Sequence, residues 1–231
     1  MRKMIALAIA ALAPVAAFAQ VSEWKIDPNH SHASFSIRHL GISNVRGEFQ
    51  KLSGTVKLDE KDVAKSSVEA TIDATSIDTR QPQRDADLRS ANFFDVEKYP
   101  TITFKSTKVE KTGDGKLAVT GDLTMHGTTK PVVLQVEGPT AAIKDAQGNA
   151  RRGISATTKI NRREFGLNFS AMVEAGPVVG DEAQIELAAE LVKEPGDVTA
   201  QGKAEDKAAG AAPKAESKAE PKAAKAKPAG K

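Results

Sequence analysis

Asp27 to His39 read DPNHSHASFSIRH, and this stretch decides the fold class. From Ser31 onward the side chains alternate, with Ala33, Phe35 and Ile37 on one side and Ser34, Ser36 and Arg38 on the other. A period of two marks a strand with one dry and one wet face. Parity also divides the histidines. His39 falls with Phe35 and Ile37, and His32 with Ser34 and Arg38. A sheet closed around the dry face would place His39 at or inside an apolar cavity.

The alternation recurs downstream. Ser67 to Ile77 repeats it, as do Leu117 to Met125 and Ala183 to Val192, and the runs from Pro100 to Val109, Thr129 to Gly138 and Arg151 to Ile160 also read as extended. Val45 to Asp59 reads as extended structure interrupted by Gly47 and Gly54, and glycines inside a strand suggest the bulges or coiling by which barrels close. Gly113-Asp114-Gly115 and His126-Gly127-Thr128 read as hairpin turns. Asn161 to Gly166 reads as a turn or short helix, and Phe169 to Val179 as an irregular passage. Thr79 to Asp95 breaks the pattern. One short helix, Arg84 to Ser90, is expected there, delivering Phe93 and Phe94 to a cavity mouth. About eight strands with short connections predict a sandwich or an up-and-down barrel.

The inward positions are informative. Phe35 and Phe104 fall on predicted inward faces, while Phe93, Phe94, Phe165 and Phe169 fall in the two irregular passages. Small inward residues (Ala33, Ala70, Ala74, Gly121, Ala156 and Ala189) leave room inside. An eight-stranded barrel is just large enough to be filled by side chains or to hold one slender ligand.

Composition sets further bounds. Arg2 and Lys3, the apolar run Met4 to Val15, and Ala17-Phe18-Ala19 ahead of Gln20 have the pattern of a cleavable secretory leader, residues 1–19. The chain has no cysteine, so a fold exported to a disulfide-permissive compartment must hold through its core alone. Residues 20–194 form one expected domain, and 195–231 an Ala/Lys/Glu/Pro-rich tail with too little apolar surface to order itself. Gln201 to Lys231 holds eight lysines against four acidic residues, whereas Gln20 to Ala200 holds 23 basic against 26 acidic. The mildly acidic domain argues against nucleic-acid binding. The tail could touch anionic envelope surfaces or serve as a solubilising spacer.

Signals for catalysis are weak. His30 and His32 are spaced to share an ion from one strand face, but no cysteine supplies a further ligand, and His126 lies far along the chain. There is no G-x-S-x-G elbow, P-loop or G-x-G-x-x-G. Asp85 and Asp87 are expected to face solvent. No resident cofactor or metal is expected.

Several motifs in order carry a resemblance. They are Trp24 with Asp27, His30 and Ser31; Gly47-Glu48-Phe49; Ser76 to Thr79; Arg84-Asp85; Leu88-Arg89-Ser90; Phe93-Phe94-Asp95; Pro100 to Ser106; Gly121 to Pro131; and Arg162 to Gly166. Together they resemble the YceI family of exported polyisoprenoid-binding proteins. Asp87 and Asn92 depart from that pattern, where relatives often carry a histidine and an acid. The resemblance implies an all-β, eight-stranded antiparallel, lipocalin-like barrel with one or two short helices. It also implies a periplasmic location and a non-enzymatic role sequestering a polyprenyl phosphate or isoprenoid quinone. The expected contacts to the lipid tail are Phe35, Phe93, Phe94 and Phe104, with Leu123, Met125, Phe165 and Phe169. The expected head-group contacts are His39, Arg84, Arg89 and Arg162. A homodimer is compatible with the sequence. Two rivals remain at this point: a metal-dependent hydrolase or isomerase using His30 and His32, and an envelope stress-response module docked by its basic tail.

Overall fold

A computed structural model describes residues 21–174 and 176–193. The expected leader and tail lie outside the described residues. The strands are β1 (Val21–Ile26), β2 (His32–His39), β3 (Ser43–Phe49), β4 (Leu52–Asp59), β5 (Ser67–Asp73) and β6 (Ile77–Asp78). After helix α1 (Pro82–Arg89) come β7 (Thr101–Gly113), β8 (Lys116–Met125), β9 (Thr128–Glu137), β10 (Ile143–Lys144) and β11 (Ala150–Asn161). The last three are β12 (Met172–Val173), β13 (Gly176–Pro177) and β14 (Val179–Lys193).

The short early strands are pieces of three long bent ones. β14 is flanked on one edge by β2 along Val179 to Ala188 and then by β1 at Leu191 and Val192. β1 and β2 are therefore one sheet position interrupted at Asp27 to Ser31. The interruption keeps its hydrogen bonds: Asp27 N donates to Glu190 O (2.8 Å), and Ser31 Oγ accepts from Glu190 N (3.1 Å). β3 and β4 pair β2 and β1 respectively, and β5 and β6 follow them. Val45 to Asp59, expected as one run, is thus two strands bent at Gln50-Lys51. His30 lies in the interruption, in the turn that follows Asp27-Pro28-Asn29, and not on the strand, so it and His32 do not present one strand face.

From β5 the sheet is an antiparallel meander through β7, β8, β9 and β11 to β14. Continuous pairing from Ala150↔Lys193 to Asn161↔Glu182 joins β11 to β14 and closes an eight-position barrel. Closure removes the exposed edges that make open sheets prone to aggregate. Two glycines shape its inner wall. A Cβ on Gly47 would lie 2.5 Å from the tip of the Phe35 ring, and one on Gly121 would lie 2.4 Å from the tip of Phe104. Each ring thus rests over a glycine of the neighbouring strand, occupying space beside the wall.

β5 and β7 stop pairing at Asp73↔Thr101, and residues 79–100 cover the gap. Gln81 caps α1 through its side chain, which accepts from Arg84 N (2.8 Å), and Pro82 occupies the first turn, where a missing N–H does no harm. The helix therefore starts two residues earlier than the sequence predicts. Asp85 corrects a second expectation. It is buried and accepts from Thr79 N (2.9 Å) and Thr79 Oγ1 (2.5 Å), holding the start of the covering segment. Asp87 is exposed as expected.

Candidate ligand-binding cavity

The inward rows do not meet at the barrel axis. Buried apolar residues form three separate clusters. Inward side chains such as Leu134, Val136 and Ile185 keep partial exposure although they point away from bulk solvent. The space they border is a cavity of about 260 Å³. It extends from Val109, Leu117 and Val136 at one end to Leu88, Phe93 and Val179 at the other. Its lining is dominated by aliphatic and aromatic side chains, with Arg162 the charged group on the wall among the described residues.

Six of the eight expected tail contacts, Phe35, Phe93, Phe94, Phe104, Leu123 and Met125, line this space. Phe165 does not. It is 1% exposed and fills the apolar cluster at the α1 end, because the 3₁₀ turn at Arg162–Phe165 directs it between strands. Phe169 stands behind the wall, stacked on Phe93 with ring centroids 4.7 Å apart. Phe49, absent from the expected set, lines the cavity and packs edge-on against Phe94 at 5.5 Å. Its parity with Val45 and Gly47 on β3 was the signal that could have found it.

The expected head-group residues separate into distinct environments. Arg162 is 4% exposed. It donates through Nε to Gly180 O (2.8 Å) and through its terminal nitrogens to Leu167 O, Val179 O (3.4 Å) and Asp181 Oδ1 (3.2 Å). Burial lowers its pKa, while the nearby Asp181 carboxylate opposes that shift. Arg84 donates to Thr79 Oγ1 (2.7 Å) and Thr79 O (2.9 Å), and Arg89 to Thr75 O (2.8 Å) and Ile77 O. Arg84 ties α1 to the turn after β6 and Arg89 ties it to β6 and the turn before it, and neither is on the cavity wall. His39, half-buried at the end of β2, lies opposite Val179, also off the wall.

The histidines are dispersed. His32 is exposed at the start of β2, and His126 lies in the β8–β9 turn, 4.6 Å from the Tyr99 ring by centroids. His30 Nδ1 lies 2.8 Å from Asp27 Oδ2. Asp27, His30 and Glu190 are close enough to share a cation. Arg151 already occupies that position: its Nη1 donates to Asp27 Oδ2 (2.7 Å) and Glu190 Oε2 (2.9 Å), and its Nε to Asp145 Oδ2 (2.8 Å). A guanidinium at the carboxylates repels a second cation. Bonds from Arg151 and His30 hold Asp27 at a pKa of about 2, and those from Arg151 and Asn149 hold Asp145 at about 2.

A family model described as a YceI-like domain matches residues 24–191. A UPF0312 protein of Vibrio parahaemolyticus is 40% identical over 183 residues, which are 78% of this chain and 90% of the relative. The crystal structure of Burkholderia cenocepacia BcnA is similar with a TM-score of 0.60 and 26% identity, over 73% of this chain and 99% of BcnA. A polyisoprenoid binding domain from Saccharophagus degradans has the same fold, with a TM-score of 0.53 at 16% identity, over 73% of this chain and 97% of that domain.

Proposed function

Because this chain belongs to the family of YceI-like domains, and because its barrel encloses an apolar cavity, we propose that it is a non-enzymatic carrier of an isoprenoid-type lipid. A polyprenyl phosphate or an isoprenoid quinone fits the proposal. The observation that carries it is the cavity itself, bordered along the barrel by carbon and reaching Arg162 at the α1 end. Burial of a prenyl chain there contributes about 25 cal/mol per Å² removed from water, so affinity needs few polar contacts. The fold is shared with a domain described as polyisoprenoid binding, which agrees with this choice of ligand.

In this reading Phe35, Phe49, Phe93, Phe94, Phe104, Leu123 and Met125 touch the chain of the lipid. Phe165 and Phe169 brace the wall from behind. Arg162 offers positive charge to the head group, Arg84 and Arg89 fix the covering helix, and His39 lies near Val179 at the rim. Residues 1–19 serve as a leader to the periplasm, a point checked by sequencing the N-terminus of the mature protein.

Native mass spectrometry of gently purified protein tests the proposal. A co-purifying lipid whose mass series steps by isoprene units is expected. Protein that is always ligand-free, and takes up no prenyl lipid from vesicles, would contradict it.

A further inference from the structure

Five large apolar side chains stand exposed among the described residues, and three of them gather at one end of the barrel. Ile42 (77% exposed) tips the β2–β3 turn, while Met172 (69%) and Val173 (45%) form one strand of the β12–β13 hairpin. The two turns are joined: Leu40 N donates to Val178 O (2.9 Å), and Val178 N to Ala171 O (2.9 Å). The next residue, Val179, lies on the cavity wall. Phe169, three residues before Met172, stacks on the cavity-lining Phe93. The patch therefore borders the cavity at its α1 end.

Charge beside the patch has a sign. Arg38 and Arg46 point outward from β2 and β3 next to the Ile42 turn, and Arg80 lies two residues past the Glu48↔Asp78 rung, towards the same end. All three are exposed, and among the described residues none forms an ion pair. Arg38 donates to Gly41 O (3.2 Å) and Asn44 Oδ1 (3.2 Å), both neutral. Glu164 and Glu174 oppose this charge, and the Glu48 and Asp78 carboxylates stand one outward step farther from the Ile42 turn. Arg163 is already paired with Asp181 (2.6 Å), so the three arginines set the local sign.

Protruding aliphatic tips flanked by unpaired guanidinium groups match the interface of an anionic bilayer, where apolar side chains enter the acyl boundary and arginines meet phosphates. A second copy of this chain docked through a two-fold axis would instead bring both sets of arginines together. We propose that this end of the barrel docks on anionic lipid bilayers through Ile42, Met172 and Val173, with Arg38, Arg46 and Arg80 facing the head groups. Docking there would turn the cavity towards the membrane. The purpose rests on the carrier reading, but docking can be measured without cargo, so either can fail alone.

The test is co-sedimentation of the full chain with phosphatidylcholine vesicles, with and without phosphatidylglycerol. The parent is expected to bind the anionic vesicles. The variant I42S/M172S/V173S is expected to bind at least tenfold more weakly. R38Q/R46Q/R80Q is expected to lose the preference for phosphatidylglycerol, since each basic residue near such a surface is worth about fivefold in partitioning. Thermal melting should match the parent for both, because every substituted side chain is exposed, and Ile42→Asp alone supplies a third variant. Equal binding by parent and variants, or no binding by the parent, would overturn the proposal. So would a dimer-to-monomer change in light scattering with vesicle binding unaltered, which would assign the patch to a second copy.

Discussion

The inward row of β11, continued into the 3₁₀ turn that follows it, brings one arginine to each end of the barrel, and the two ends use it differently. At one end Arg152 lies over the Trp24 ring, 5.1 Å from its centroid, and its terminal nitrogens reach Glu60 (2.6 Å) and Thr140 O (3.2 Å). Trp24 is 3% exposed, so the stack forms a packed apolar plug with a charged outer surface. At the other end Arg162 is more deeply buried and gathers the carbonyls of Leu167, Val179 and Gly180. There the aromatic groups belong to loops, Phe93 against Phe169, beside exposed Ile42 and Met172. A guanidinium on a packed strand end closes a barrel. The same group gathering carbonyls from irregular backbone holds loops in place around the end for which docking is proposed.

The comparison breaks most easily at Arg162. Arg162→Ala would take its donors from the buried Leu167 carbonyl and from the half-buried Val179 and Gly180 carbonyls and is expected to cost about 3 kcal/mol, read by chemical denaturation. Arg162→Lys should recover little of that loss, since one ammonium cannot match a planar fork of donors. A cost below about 0.5 kcal/mol would mean that water already serves those carbonyls.

Gly121→Ala comes next. Its Cβ would lie 2.4 Å from Phe104 and 2.6 Å from the backbone oxygen of Lys105, so the ring and the strand must both shift. About 1–3 kcal/mol is expected by the same measurement, typical of overpacking. Arg152→Ala, at the plugged end, removes a cation–π contact and a partly exposed ion pair and should cost only about 1 kcal/mol.

A further effect is a pH dependence. Asp27 and Asp145 titrate near 2 in the folded chain against an ordinary 3.8. Depressed carboxyl values mean that their stabilisation is complete above about 4 and is lost as pH falls towards 2. Arg151→Gln is expected to flatten the stability profile across that window, and an unchanged slope would remove the ion-pair cluster from the account.

Periodicity made much of this legible. Ala33, Phe35 and Ile37 on β2, or Leu123 and Met125 on β8, reach the wall because a strand with one dry face must turn that face inwards. The irregular passages gave no such signal. Phe165 and Phe169 lie on backbone without a period, so nothing local distinguished the residue that fills the core from the one that stacks behind Phe93. The arginines were ambiguous for a related reason. Arg84, Arg89 and Arg162 all read as charge near the ligand, yet the partners of Arg89 and Arg162 include carbonyls more than ten residues away in sequence. Asp85 was misplaced because a polar helix with one large aliphatic residue reads as solvent-facing, while its partner Thr79 precedes the helix.

The central claim is that the barrel is hollow, and Ala156→Phe tests it most directly. Ala156 lines the cavity between Val136 and Leu187, so a new ring would enter open space. Prenyl-lipid uptake is expected to fall at least tenfold, with stability altered by less than about 1 kcal/mol and melting shifted by no more than a few degrees. A melting temperature lowered well beyond that, with uptake unchanged, would show a filled interior and contradict the account.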